Sequence, residues 1–442
     1  MMKFVLPSVG AVSAIGLFAF ATAFSSADAA ERPSNADTFQ QLELFADVLA
    51  RVRNDYVVDV DDSEMIGDAI NGMLQSLDPH SSYIAPEAFM KLQETTSGEY
   101  GGLGMEVTAE DGVVKVIAPI DGSPAKRAGV LAGDYITEVD GDSIIGLSLN
   151  EAVDMMRGKP GEAIQITVVR MDEDPLEFDL VREVIKRPPV VAEVKDGIGY
   201  LRVGQFNEKT SDSLEVGVKQ LNKDFGGRIP GIVLDLRGNP GGLLDQSIRV
   251  SSAFLDGGEV VSTRGRRSED TESYNAERGE LFKGVPVVVL VDNASASASE
   301  IVAGAIQDRG RGLVVGRETF GKGSVQSVIP LRGGRDGALR LTTQRYYTPS
   351  GSSIQGTGIT PDILISATPD DGEKSRRLRE SDLPNSIRNE AIDALDSDED
   401  EDFLAIDYPP EDYEVENDYQ LQRAIAILKD GSYSTKLAGV QG

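Results

Sequence analysis

Between Asp292 and Gln326 the chain reads Asp-Asn-Ala-Ser-Ala-Ser-Ala-Ser-Glu and, further on, Gly-Lys-Gly-Ser-Val-Gln. Ser295, Ser297 and Ser299 stand just ahead of the apolar pattern Ile301, Val302, Ala305, Ile306. A serine nucleophile needs a base within hydrogen-bond reach, and histidine is the usual one. This chain has a single histidine, His80, far upstream of the serines. Lys322, flanked by Gly321 and Gly323, is then the candidate base, which points to Ser-Lys rather than Ser-His-Asp chemistry.

To act as a base near pH 7, a lysine must fall about 3 units from its reference near 10.4, roughly 4–5 kcal/mol against its charged form. Only burial away from carboxylates supplies that. Gln326 shares a strand face with Lys322, and its amide oxygen could orient the amine. By chemistry alone the three serines are equivalent, and any of them could serve as a plain N-cap. A third element, Asp235-Leu236-Arg237-Gly238-Asn239-Pro240-Gly241-Gly242, is a glycine-rich turn after a buried strand. Such a turn can aim N–H groups at an oxyanion or simply bend the chain.

These residues need a strand-to-helix frame. Ile232–Leu236, Val285–Val291 and Gly312–Gly316 are continuous apolar runs, expected for strands covered on both faces. The serine run follows the second of them and opens a helix, whose N-terminal amides favour developing negative charge. Ser324–Ile329 alternates as a strand. Gly316 to Gly323 nearly fits the phosphate-loop pattern G-x-x-x-x-G-K-[ST], but Gly323 replaces the hydroxyl that would hold magnesium.

Upstream, residues 38–95 carry apolar residues at helical spacing, with a loop at Asp59–Asp62, Ser63 as N-cap, and a closing turn Leu77-Asp78-Pro79-His80-Ser81-Ser82-Tyr83. From Gly98 the texture becomes short strands and glycine turns, including Asp111-Gly112. The run Leu131-x-x-Gly-Asp-x-Ile-x-x-Val-Asp-Gly141, the helix Leu149–Met156 and the strand Ala163–Arg170 make this segment resemble a PDZ domain. The resemblance implies capture of a peptide's C-terminal carboxylate at Leu103, Gly104 and Met105, with the peptide added as a strand.

Net charge is −30, from 43 basic and 73 acidic residues, which argues against nucleic acid as a partner. Asp393–Asp418 holds 13 acidic and no basic residues and reads as a solvated linker, followed by a short helix over Tyr419–Leu428. The absence of cysteine excludes disulfides and thiolate chemistry. Lys3, the uncharged run Phe4–Ala27 and Ala27-Asp28-Ala29 read as a signal peptide, the alternative being an uncleaved anchor. In either case the body is exported, which places it in the periplasm, free or attached to the outer face of the inner membrane.

Together the Leu-Asp-Pro-His-Ser-x-Tyr turn, the embedded module, Asp-Leu-Arg-x-Asn-Pro-Gly-Gly, Ser-Ala-Ser-Ala-Ser-Glu and Phe-Gly-Lys-Gly resemble the carboxyl-terminal processing peptidases, or tail-specific proteases. The resemblance covers roughly residues 38–366 and implies an α/β multi-domain chain with a helical region at 34–97, a PDZ domain at 98–182 and a Ser-Lys protease core at 183–366. The signal or anchor at 1–29, the acidic linker at 367–418 and the C-terminal helix and tail at 419–442 are read from the residues themselves, and the acidic insertion is not attributed to the family. The resemblance makes Ser297 the nucleophile, Lys322 the base and Gln326 its support. It also makes Ala298 and either Gly241 or Gly242 the oxyanion donors, with His80 a structural residue. Substrates would be proteins with apolar C-termini, with an adaptor protein and self-association through the N-terminal helices as further expectations. No cofactor and no metal are called for. The competing reading is a PDZ scaffold with an inactive core.

Overall fold

The computed structural model describes residues 35–110, 112–171, 173–186, 188–369, 378–389, 406–414 and 417–440. The expected signal segment, Asp111 of the first hairpin and most of the acidic run therefore lie outside the described residues. The chain divides into two units, Met1–Ile66 and Gly67–Gly442. Among the described residues no helix is long and apolar enough to cross a membrane.

The first unit holds the helix Asn35–Asp55. Its apolar positions recur at helical spacing yet stay open: Phe39 is 70% exposed and Leu42 58%. The next helix, Asp62–Gln75, begins one residue before the expected cap Ser63. Asp61 takes the capping role instead, its carboxylate accepting the Glu64 N–H at 2.9 Å. A carboxylate at the N-cap satisfies the first-turn amides at least as well as a hydroxyl, so Ser63 falls inside the first turn.

In the second unit the β-rich module runs Met105–Glu110, Val113–Pro119, Tyr135–Val139, Asp142–Ser143, Ala163–Val169 and Leu176–Val181. Inward positions Val114, Val116, Ile136, Ile164, Ile166 and Val168 alternate as period-two patterning requires and close one core with the helix Leu149–Met156. Among the described residues, Met105–Glu110 lies at the end of the sheet order and pairs only with Val113–Pro119. One edge of that strand is consequently open. Glu99–Gly102 and Glu183–Lys186 pair antiparallel where the chain enters and leaves the module.

The α/β core is a six-stranded sheet in the order Val190–Lys195, Ile198–Val203, Ile232–Asp235, Val287–Val291, Leu313–Gly316, Ile363–Leu364. The first pair is antiparallel and the others parallel. Every side chain of Val287–Val291 is buried. Val287, Val289 and Val291 face one cluster with Val302 and Ile306, while Val288 and Leu290 face another with Leu421 and Ile425. Burial on both faces explains the uninterrupted apolar run, at about 1.5–3 kcal/mol per side chain. The helix Tyr419–Lys429 thus covers the sheet opposite Ala298–Asp308.

A second sheet joins Ser82–Ile84, Ala338–Tyr347, Glu259–Gly265 and Thr271–Asn275, with Ser324–Pro330 also paired to Ala338–Tyr347. The turn expected through Tyr83 therefore ends in a strand that pairs with the core. The described part of the acidic segment also departs from a solvated linker. Asp407 forms a bridge with Ile365 and accepts from Tyr419 and Arg423. Asp418 caps the helix and receives two hydrogen bonds from Arg237. Arg237 in turn grips Asp235, which is fully buried. A buried carboxylate needs such a partner, so acidic residues in this stretch are structural where a cation reaches them.

Candidate active site

The three serines, equivalent in sequence, have different fates. Ser295 and Ser299 are fully buried. The Ser295 hydroxyl donates to Leu236 O at 2.9 Å, and that of Ser299 to Asn239 O at 2.9 Å. Both fasten the serine run to the Asp235–Gly242 turn. Ser297 stays partly accessible at the N-cap of Ala298–Asp308. Its backbone has φ 55° and ψ −111°, outside the ordinary regions for a non-glycine residue. Such strain persists only where the surroundings over-determine it.

The surroundings here are one carboxylate. Glu300 is fully buried and accepts four hydrogen bonds. Its Oε2 takes the Ser297 N–H at 2.7 Å and the Lys322 N–H at 2.9 Å. Its Oε1 takes the Thr319 hydroxyl at 2.6 Å and the Gly321 N–H at 2.7 Å. Burial pushes its carboxyl up to about 7, opposed by the hydrogen bonds it receives. Glu300 was not among the expected site residues. Its signal was present, since Ser-Ala-Ser-Glu places a glutamate at the third helical position, where the capping-box pattern puts it. Thr319, which also receives the Ile359 N–H at 2.7 Å, had no such signal.

Lys322 sits in a loop that only glycine neighbours permit. Gly321 has φ +94°, and a Cβ on Gly323 would lie 2.2 Å from Gln355 N. Gly323 leads into a strand, not a helix, so the helix N-terminus of a phosphate loop is missing. Burial depresses the Lys322 amine below the usual lysine range, and Arg340 adds to this. The environment is not free of carboxylates as expected: Glu380, Glu300 and Asp78 oppose the shift, and burial outweighs them. Gln326 donates through Nε2 to Ser324 Oγ at 2.9 Å and Thr342 Oγ1 at 3.2 Å. Those bonds fix its amide plane, leaving the carbonyl oxygen as the end not engaged by them.

The glycine turn meets the serine run directly. A Cβ on Gly241 would lie 2.9 Å from Ser297 Cβ and 3.0 Å from Ala298 N. The Gly241 N–H is already given to Asn239 Oδ1 at 2.9 Å. Gly242 has φ +143°, and a Cβ there would be 2.0 Å from Phe206 O. The Gly242 N–H has no partner among the described residues, and its chain neighbours make the bridge to Phe206. Both glycines are obligatory, and the second keeps its amide available.

In the β-rich module Leu103 packs its side chain into the core at 3% exposure, leaving only its backbone to offer. The Leu103 carbonyl accepts from Ala125 N, and that of Gly104 from Ile120 N and Ser123 Oγ. Gly104 has φ +72°, and a Cβ would lie 2.3 Å from Ser123 Cβ. Met105 opens the edge strand. His80 Nε2 lies against the Glu380 carboxylate and does not join the Ser297 cluster.

The chain as a whole is similar to known peptidases. The family model "Peptidase family S41" matches residues 197–365, "PDZ domain" matches 115–170, and "Activating protease CtpB N-terminal domain" matches 11–88. A carboxy-terminal-processing protease of Bartonella bacilliformis is 51% identical over 352 residues, covering 79% of this chain and 81% of that one. The carboxy-terminal processing protease CtpA of Bacillus subtilis is 34% identical over 362 residues, covering 81% and 76%. A solved photosystem II D1 C-terminal processing protease is 30% identical, covers 73% of this chain and 92% of its own, and superposes with a TM-score of 0.43.

Proposed function

Because this chain belongs to the S41 peptidases, among the carboxy-terminal processing proteases, we propose that it is an exported endopeptidase that holds protein C-terminal tails on its PDZ domain and cuts with a Ser297–Lys322 dyad. Serine peptidase activity and binding of peptide or protein substrates follow from the family. The dyad and export are our reading.

The carrying observation is the single oxygen, Glu300 Oε2, that receives the backbone N–H of both Ser297 and Lys322. Neutral Lys322 Nζ takes the Ser297 Oγ proton as Oγ bonds to the scissile carbonyl carbon. The oxyanion meets the amides of Ala298 and Gly242. The tetrahedral species then expels the amine, which takes the proton from Lys322 and leaves an ester on Ser297. Water attacks that ester with Lys322 again as base, restoring the free serine. Gln326 orients the amine. The substrate tail adds to the open edge of Met105–Glu110, its carboxylate at the backbone of Leu103 and Gly104.

Export is supported by the uncharged run Phe4–Ala27 and its Ala-Asp-Ala end. Self-association through the N-terminal helices is supported by the open apolar positions of Asn35–Asp55. The deciding experiment digests an unstructured protein with an apolar C-terminus using wild type, Ser297→Ala and Lys322→Ala. Cleavage by wild type alone is expected. Cleavage surviving both substitutions overturns the dyad, and tail binding without cleavage by wild type favours the scaffold.

A further inference from the structure

Glu380 is fully buried behind the lysine loop. Both of its carboxylate oxygens meet His80 Nε2, at 2.9 and 2.8 Å, and Oε1 also accepts from Gln355 Nε2 at 3.0 Å. The Glu380 backbone N–H donates to Phe320 O at 3.1 Å, two residues before Lys322. On the other side of the lysine, the Gly323 N–H donates to Gln355 Oε1 at 3.0 Å. The Glu380–Gln355 unit therefore grips the loop both before and after Lys322.

His80, the only histidine of the chain, is aimed by its own turn. Its backbone N–H donates to Asp78 Oδ1 at 2.9 Å, and the same oxygen accepts the Thr342 hydroxyl at 3.0 Å. Thr342 Oγ1 is also an acceptor for Gln326. Three distant segments of the chain thus converge around the base.

With Glu380 ionised its carboxylate only accepts hydrogen bonds, and Nε2 of His80 is then the donor. The state of Nδ1 then decides whether the pair is neutral overall or carries one negative charge. A bare charge on a fully buried carboxylate is unfavourable, and a cation placed beside it offsets that cost. It also matters to Lys322, which must be free of its proton to accept one from a serine. Glu380 is the strongest charge holding that proton on; Glu300 and Asp78 act the same way and Arg340 the opposite way. Arg379, next in the chain, is engaged with Glu318 and does not neutralise Glu380.

We infer that His80 and Glu380 form a buried ion pair that positions the Lys322 loop and, by cancelling the Glu380 charge, frees Lys322 to act as a base. Both are positioning residues, and the inference rests on the Ser297–Lys322 reading. Removing either member has a predictable sign. Glu380→Gln takes away the negative charge and makes the Lys322 proton easier to lose. His80→Gln exposes that charge and makes the proton harder to lose. A residue that merely fills space would move neither.

The test is a direct titration of Lys322 by 13C NMR in lysine-labelled Ser297→Ala protein, its signal identified by loss in Lys322→Met. The midpoint is expected to fall by about one pH unit in Glu380→Gln and to rise by about one in His80→Gln. His80→Lys, which keeps a cation, should hold the midpoint near wild type even if the packing is loosened. Unmoved midpoints, or two shifts of the same sign, overturn the inference. With Ser297 restored, the acid limb of kcat/KM against pH should move with each midpoint. Midpoints that shift while the limb stays still would leave the charge coupling intact and overturn the role of Lys322 as base.

Discussion

Ser297 and Lys322 hang from the same oxygen: Glu300 Oε2 accepts the backbone N–H of the first at 2.7 Å and of the second at 2.9 Å. The spacing of the proposed nucleophile and base is therefore set through the main chain, not through either reactive side chain. Glu300→Gln should break this arrangement. Its amide offers one acceptor where the carboxylate offers two, and its NH2 faces backbone donors. Each buried donor left unmatched costs about 1–3 kcal/mol. A lower melting temperature and at least a 100-fold loss of kcat are expected; a variant with wild-type kcat would show that the shared carboxylate does not position the pair.

Burial of Lys322, the proposed base, carries a cost in stability. Its folded-state pKa lies below the usual lysine value because of burial, so between that value and about 10.5 the unfolded state binds more protons than the native one. Stability from this group thus rises with pH through that window, and the penalty is fully present below it. Lys322→Met should be inactive yet more stable at pH 7, by about 1 kcal/mol. Denaturant unfolding from pH 7 to 11 checks the sign, since the advantage of the variant should shrink as pH rises.

The neighbouring serines separate structure from chemistry. Ser295→Ala and Ser299→Ala each remove a buried donor to a backbone carbonyl, at Leu236 and Asn239. A loss of about 1 kcal/mol with retained labelling by a fluorophosphonate is expected for each. Ser297→Ala should fold normally and take no label. Intact labelling of Ser297→Ala would move the nucleophile elsewhere.

The two turn glycines should fail differently. Gly241→Ala pushes a methyl group against Ala296 O, Ser297 Cβ and Ala298 N at positive φ, so kcat should fall at least 100-fold in a protein that folds with reduced stability. Gly242→Ala meets the Phe206 carbonyl at 2.0 Å and should prevent folding. Circular dichroism beside peptide turnover distinguishes the two outcomes.

Arg237 holds the C-terminal helix in place through Asp418 and neutralises the fully buried Asp235. Arg237→Met should cost about 3 kcal/mol, because it leaves the buried Asp235 carboxylate with only the Tyr200 hydroxyl at 2.8 Å and the more distant Arg202 at 3.8 Å. Hydrogen exchange in Tyr419–Lys429 should rise with it. Unchanged protection there would mean that the packing of Leu421 and Ile425 alone secures the helix.

Local physics made much of this protein readable in one dimension. Period-two and uninterrupted apolar runs marked the strands, because side-chain burial follows backbone geometry residue by residue. Glycines beside Lys322 and in the Pro-Gly-Gly turn were visible for a similar reason, since positive φ excludes most other residues. With one histidine, far from the serine run in sequence, the lysine was the base candidate legible beside it. Tertiary structure decided the rest, because it turned on partners far away in the chain. Ser295 and Ser299 differ from Ser297 only through carbonyls some 60 residues upstream, brought near by the pairing of Ile232–Asp235 with Val287–Val291. Gly242 differs from Gly241 through Asn239 and Phe206. Glu380 reaches His80 across 300 residues, and no local pattern encodes a charge that arrives from so far. Sequence determined which residue types could react; folding decided which hydroxyl stayed open and which charges surround the lysine.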